Sequence, residues 1–168
     1  MSTRQRAIEL WNRDDLIALG QEADAVRKKL HPDDMVSYAK TSDDGVLEHL
    51  FARAQSVEER IDALEGICAQ QQRVNFVAFR PLVEANSTGM EYVKTVALAR
   101  ICIDNIVHIQ SDWRMFGLKV AQLALRFGAN DLGTVGDGAS EEELRRIIRD
   151  AGFVPKQRDA LFRTYAVR

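Results

Sequence analysis

Apolar residues recur along this chain mostly at helical spacing. Ile8 and Trp11, then Leu16, Leu19, Ala23, Val26 and Leu30, make one stripe, with a break expected near Asn12 to Asp14. Pro32 disfavours helix at the residue before it, so the stripe ends at His31. Met35 to Ala39 reads as a short extended piece. Val46, Leu47, Leu50, Phe51 and Ala54 read as a further helix entered after Asp43 and Asp44. Three later helices open with a capping box. Ser56 with Glu59, Thr88 with Glu91, and Ser140 with Glu143 each pair a hydroxyl with a carboxylate three residues on, ahead of an apolar-periodic run. Another helix is expected from about Arg114 to Phe127. Gly128 follows it, at the position that favours a left-handed residue.

Strand patterns are fewer. Val74 to Phe79 is the best, closed by Arg80-Pro81. Ile106 to Gln110 is second, and Ala129 to Val135 is a weak third with a glycine inside. Strand, helix, strand, helix, short strand is the rhythm of a parallel β/α sheet. The expected fold class is therefore α/β: a helix-rich partial (β/α) barrel with about three parallel strands. A mostly helical rearranged remnant is the alternative. One domain over 1–168 is expected, with 1–72 helical, 73–135 holding the β/α units, and 136–168 forming C-terminal helices.

The 168 residues suffice for a hydrophobic core, and the 46% hydrophobic and 29% charged fractions are ordinary for a globular protein. A net charge of −2 argues against a nucleic-acid partner held by overall positive charge. No apolar run spans a bilayer and the first residues lack the core of a secretory signal, so a cytoplasmic protein with no membrane partner is expected. His31, His49 and His108 show no metal-ligand spacing, and no catalytic triad or phosphate loop is visible. The expected catalytic and metal residues are none. Polar residues do gather near strand ends: Glu84 and Asn86, then His108, Gln110 and Trp113, then Asn130 and Asp131. In parallel β/α folds the carboxyl ends of strands carry the ligand site. A shared polar pocket and solvated loop ends are the two readings.

KTVALAR, DNIVHIQSDW, LKVAQLALRFGANDLG and RDAGFVPKQRD carry a resemblance. The stretch from Val74 to Tyr165, with DDLIALGQEADAVRKKLHPDDMVSY near the start, is similar to the C-terminal part of a radical-SAM family. Its members are aminofutalosine synthase and dehypoxanthine futalosine cyclase of the futalosine route to menaquinone, and the related deazaflavin-forming synthase. The resemblance implies a (β/α) barrel, S-adenosylmethionine, and a [4Fe–4S] cluster on CxxxCxxC. It makes His108, Gln110, Trp113, Asn130 and Asp131 the substrate-binding candidates.

Much of that family pattern is missing. After Tyr38 the chain reads AKTSDDGVLEHLFARAQS, without CxxxCxxC, and its two cysteines, Cys68 and Cys102, fall on separate helices. A complete barrel takes about 250 residues. No cofactor is therefore expected. Three strands cannot close a barrel, so exposed edges call for a homo-oligomer or a protein partner. Three functions fit: a non-catalytic accessory protein, a nucleoside-like binder using the ancestral pocket, or a split subunit completed by a cluster-bearing chain.

Overall fold

A computed structural model describes residues 1–165; residues 166–168, the end of the expected C-terminal helical segment, lie outside the described residues. The elements are α1 (Thr3–Asn12), α2 (Leu16–Leu30), β1 (Met35–Ala39), β2 (Val46–Phe51), α3 (Val57–Val74), β3 (Ala78–Val83) and α4 (Gly89–Cys102). They continue with β4 (His108–Ile109), α5 (Trp113–Phe116), α6 (Leu118–Leu125), β5 (Asp131–Thr134), α7 (Glu141–Asp150) and β6 (Val154–Arg158). The fold class is α/β, with helices around parallel strands in a partial-barrel arrangement. The strands form two parallel sheets of three, β2-β3-β4 and β5-β1-β6. A single parallel bridge, Gln110 to Asp131, joins them. The combined order is β2-β3-β4-β5-β1-β6.

Several elements differ from the sequence expectation. Val46–Phe51 is a strand, paired along its whole length with β3. Its spacing of apolar residues suits a helix, but Leu47 and Phe51 turn towards the helical layer while Glu48 pairs with Arg80 on the other face. The expected strand at Val74 starts later, because α3 runs to Val74 and ends on a left-handed Asn75. Pro81 lies inside β3 rather than closing it. The Phe79 carbonyl accepts from Gln110 N, and the next donor in a parallel register is the nitrogen of residue 81. Proline has no N–H, so the β3–β4 ladder stops there; on the other edge of β4, Gln110 bridges β5. The expected helix from Arg114 to Phe127 is split at Gly117, whose φ is +89°. The C-terminal segment holds one helix and then strand β6, which pairs with β1 over five residues.

The capping boxes at Ser56, Thr88 and Ser140 all form, and Ser2 with Gln5 makes a fourth. Each such cap contributes about 1 kcal/mol. The core lies between the sheets and the helices and includes Val36, Tyr38, Phe79, Ile109, Leu132 and Leu144. Helix α4 is buried on most sides, since α1 and α2 pack on its outer face. That double coverage explains its nearly continuous apolar sequence. Among the described residues, no helix is long and apolar enough to cross a membrane.

Glycine is required at one corner of this packing. Gly128 has φ +98°, and a Cβ there would lie 2.7 Å from Arg100 Cβ. Gly66, exposed within α3, would meet nothing within 4 Å. Gly128→Ala is expected to cost about 2–4 kcal/mol, and Gly66→Ala to add about 0.5–1 kcal/mol. Urea denaturation of the two variants measures both.

Candidate functional site

Alternation along the strands puts Ser37 (β1), Arg80 (β3), His108 and Gln110 (β4), Asp131 (β5) and Arg158 (β6) on the face away from the helices. Asp131 is at the centre, fully buried. Its carboxylate accepts from Ser37 Oγ at 2.5 Å, Gln110 Nε2 at 2.9 Å and the Gly133 amide at 2.8 Å. Arg158 donates to it twice, through Nε at 2.5 Å and Nη2 at 2.8 Å. Those bonds saturate a carboxylate, which offers about four lone-pair sites.

The network extends towards the β1–β2 loop. Asp43 accepts from Arg158 Nη2 at 2.6 Å, Arg80 Nη2 at 2.9 Å and Gln110 Nε2 at 3.2 Å. Arg80 also donates to Gln110 Oε1 and Glu48 Oε1. Burial works against the Arg158 charge. The hydrogen bonds and charges of Asp131 and Asp43 outweigh it and hold its pKa above the ordinary value. The ring of Phe162 lies 3.6 Å from the Arg158 guanidinium carbon and its centroid 5.0 Å from that of His108. Phe162 holds a left-handed φ of +63°, a strained geometry for a bulky side chain.

The five expected site residues do not form one pocket. Gln110 and Asp131 meet in the network just described. His108 and Asn130 meet separately at the amino ends of β4 and β5, not at the carboxyl ends. Asn130 Oδ1 accepts from Arg100 Nη2 and the Ile109 amide. Its Nδ2 therefore faces His108 Nδ1, 3.0 Å away, and fixes that nitrogen as the acceptor. Arg100 itself is buried on Gly128 O, Val107 O and Asn130. Burial, helped by Arg27, lowers its pKa to about 9. Trp113 stands apart from both pairs. Its Nε1 donates to Thr134 O at 3.0 Å and Arg114 stacks 4.2 Å from its ring.

The sequence reading missed Asp43, Arg80, Arg100 and Arg158. The signal for Arg158 was present in PKQRD, but nothing local says that its partner is Asp131. The thiols of Cys68 and Cys102 lie against each other's helices, with Cys68 Sγ 3.3 Å from Cys102 O. Burial raises both, Cys102 to about 12.

Asp131→Ala removes the carboxylate from a buried guanidinium, and a loss of about 3–5 kcal/mol in unfolding free energy is expected. His108 supplies a pH dependence. Burial pushes its imidazole down to about 4 from 6.5; Asp131 opposes this, while His31, Arg100 and Arg158 reinforce it. Over that interval the unfolded chain binds the proton and the folded chain does not. The contribution of His108 is thus complete above pH 6.5 and lost as pH falls towards 4. His108→Gln flattens that part of a stability–pH curve.

Comparison with known proteins fits this geometry. Residues 70–168 match the family described as CofH/MqnC C-terminal region. A cyclic dehypoxanthine futalosine synthase from Streptomyces coelicolor is 34% identical over 132 residues, covering 65% of this chain and 33% of the relative. An aminodeoxyfutalosine synthase from Thermus thermophilus is 29% identical over 147 residues, covering 70% and 40%. A 5-amino-6-(D-ribitylamino)uracil–L-tyrosine 4-hydroxyphenyl transferase from Archaeoglobus fulgidus is 42% identical over 91 residues, covering 45% and 26%. The chain thus spans between a quarter and two-fifths of the length of these relatives. It belongs to the CofH/MqnC family through that family's C-terminal region.

Proposed function

We propose that this chain is a non-catalytic relative of the radical-SAM enzymes, acting as an interaction or accessory protein without an iron–sulfur cluster of its own. The observation that carries this reading is the saturation of Asp131. Its acceptor sites are filled by Ser37, Gln110, Arg158 and the Gly133 amide. Gln110 is likewise held by Arg80, Asp43 and Asp131. Polar groups that a substrate would need are engaged with one another.

The donor set also fits poorly to a cluster. A [4Fe–4S] centre with an open iron needs three close thiolates. Here there are two thiols, both driven towards the protonated form by burial. Among the described residues, no group of three or more His, Cys, Asp or Glu is placed to hold a metal. No reaction step is therefore assigned to S-adenosylmethionine on this chain.

One observation favours a nucleoside-like ligand as the second reading. A pocket of about 340 Å³ reaches His108 between Gln71, Phe76 and Asn105. It opens at the amino ends of the strands, the face of a β/α barrel associated with stability rather than chemistry.

Anaerobic reconstitution with iron and sulfide, followed by iron quantitation and a S-adenosylmethionine cleavage assay, tests the first reading. The expected result is no stoichiometric iron and no cleavage. Thermal denaturation with S-adenosylmethionine or a purine nucleoside is expected to show no stabilisation. A rise in melting temperature that saturates with nucleoside, and that His108→Gln abolishes, would replace the first reading by the second.

A further inference from the structure

The sheet edge at β6 is covered by the chain itself. After Arg158 the backbone turns on Asp159, whose side chain accepts from the Leu161 and Arg163 amides, and runs back antiparallel. Thr164 bridges Arg158, and the Tyr165 amide donates to Gln157 O. At the other end of the sheet the same turn reaches only Asp44, whose amide donates to Ala160 O, and Val46–Leu50 beyond it has no backbone partner on its outer side among the described residues. The Phe51 carbonyl accepts from Glu84 N just beyond β3, and with Phe51 opposite Val83 in the register this turns the odd positions of β2 inward. The backbone N–H and C=O groups of Val46, Glu48 and Leu50 therefore point outward and are unpaired. No proline, lysine or bulge guards them, and Leu50 is 58% exposed.

We propose that β2 is a self-recognition edge: two copies of the chain pair antiparallel through Val46–Leu50, about a two-fold axis centred on Glu48. This rests on the reading of the chain as an interaction protein and names its partner. A two-fold axis normal to the sheet keeps each side chain on its own face, so only registers centred on a residue are allowed. Centring on Glu48 joins every free N–H and C=O of Val46, Glu48 and Leu50 to its counterpart. Centring on His49 sets residue 46 opposite Ala52, whose amide and carbonyl are already taken by Gln55 and Arg60.

Side chains agree with the same register. Val46 lies opposite Leu50 of the second copy, and this happens twice, covering the exposed leucine with an apolar cross-strand pair. The strand is also electrically polarised. Asp44, whose exposed side chain has no ion-pair partner among the described residues and whose amide is held by Ala160 O, precedes it, and half-exposed Arg53, 3.7 Å from Glu91, follows it. Antiparallel pairing brings Asp44 of each copy next to Arg53 of the other. The one unfavourable pair is Glu48 against Glu48, and each of these carboxylates has Arg80 beside it.

Sedimentation equilibrium on the full chain, over a range of concentrations, tests this. The wild type is expected to reach twice the monomer mass, with slowed hydrogen exchange at the Glu48 and Leu50 amides in the dimer. Leu50→Lys and Leu50→Pro are expected to raise the dissociation constant about tenfold or more, with unchanged circular dichroism. The proline removes an outward-pointing donor that the folded monomer does not use. Glu48→Gln is expected to tighten the dimer, and Ile17→Lys, at an exposed residue on α2, to leave it unchanged. A monomer at all concentrations, a dimer that survives both Leu50 variants, or a dimer weakened by Glu48→Gln would overturn the proposal. The iron and cleavage assays are read separately. A cluster-free monomer sinks the edge and keeps the accessory reading, whereas a cluster-bearing dimer does the reverse.

Discussion

One ion pair ties this structure together. Asp131 on β5 holds Arg158 on β6, and the same carboxylate takes the hydroxyl of Ser37 on β1, the strand between them. Through Gln110 and Asp43 it reaches β4, the β1–β2 loop and Arg80 on β3. Burying charge is costly unless every partner is met. Here the geometry meets that demand, because strand alternation delivers donors from several strands to one acceptor. The arrangement also fixes the place of β6, which the chain reaches only after helix α7.

The two faces of the sheet divide the work. The side towards the helices is apolar and is backed by α4, which is itself covered by α1 and α2. The other face is polar and tied up in ion pairs. An open β/α layer must satisfy its inward groups from its own side chains, and Arg80, Arg158 and Asp43 do so. Arg100 supports the amino ends of the strands in the same manner, using carbonyls and Asn130 rather than a carboxylate.

Local chemistry was legible in the sequence and long-range pairing was not. Capping boxes announced α3, α4 and α7 because both halves of each box lie within four residues. Gly128 announced the end of α6, though Gly117 split that helix without a strong local sign. Val46–Phe51 was misread because its leucines suit either period, and only pairing with β3 decides between them. β6 was missed because VPKQR has a proline and little apolar alternation; it is a strand by virtue of β1 alongside it. Of the candidate site, the residue types were legible. Their separation was not, because His108 and Asn130 sit where β4 and β5 begin, while Gln110 lies two residues further along and Asp131 one, where Arg158 and Asp43 gather them.

Pro81 has a mechanical consequence. By ending the β3–β4 ladder early, it leaves β4 paired with β3 over two residues, and on its other edge β4 meets β5 only around the Gln110–Asp131 bridge, where Ser111 N donates to Asp131 O and Asn130 N to Ile109 O. The protein thus has a perforation line down its middle, stitched by side chains where a continuous ladder would be seamless. Force or thermal fluctuation acting across that line meets side-chain bonds first. The two halves of the sheet are built to part there before either frays from within.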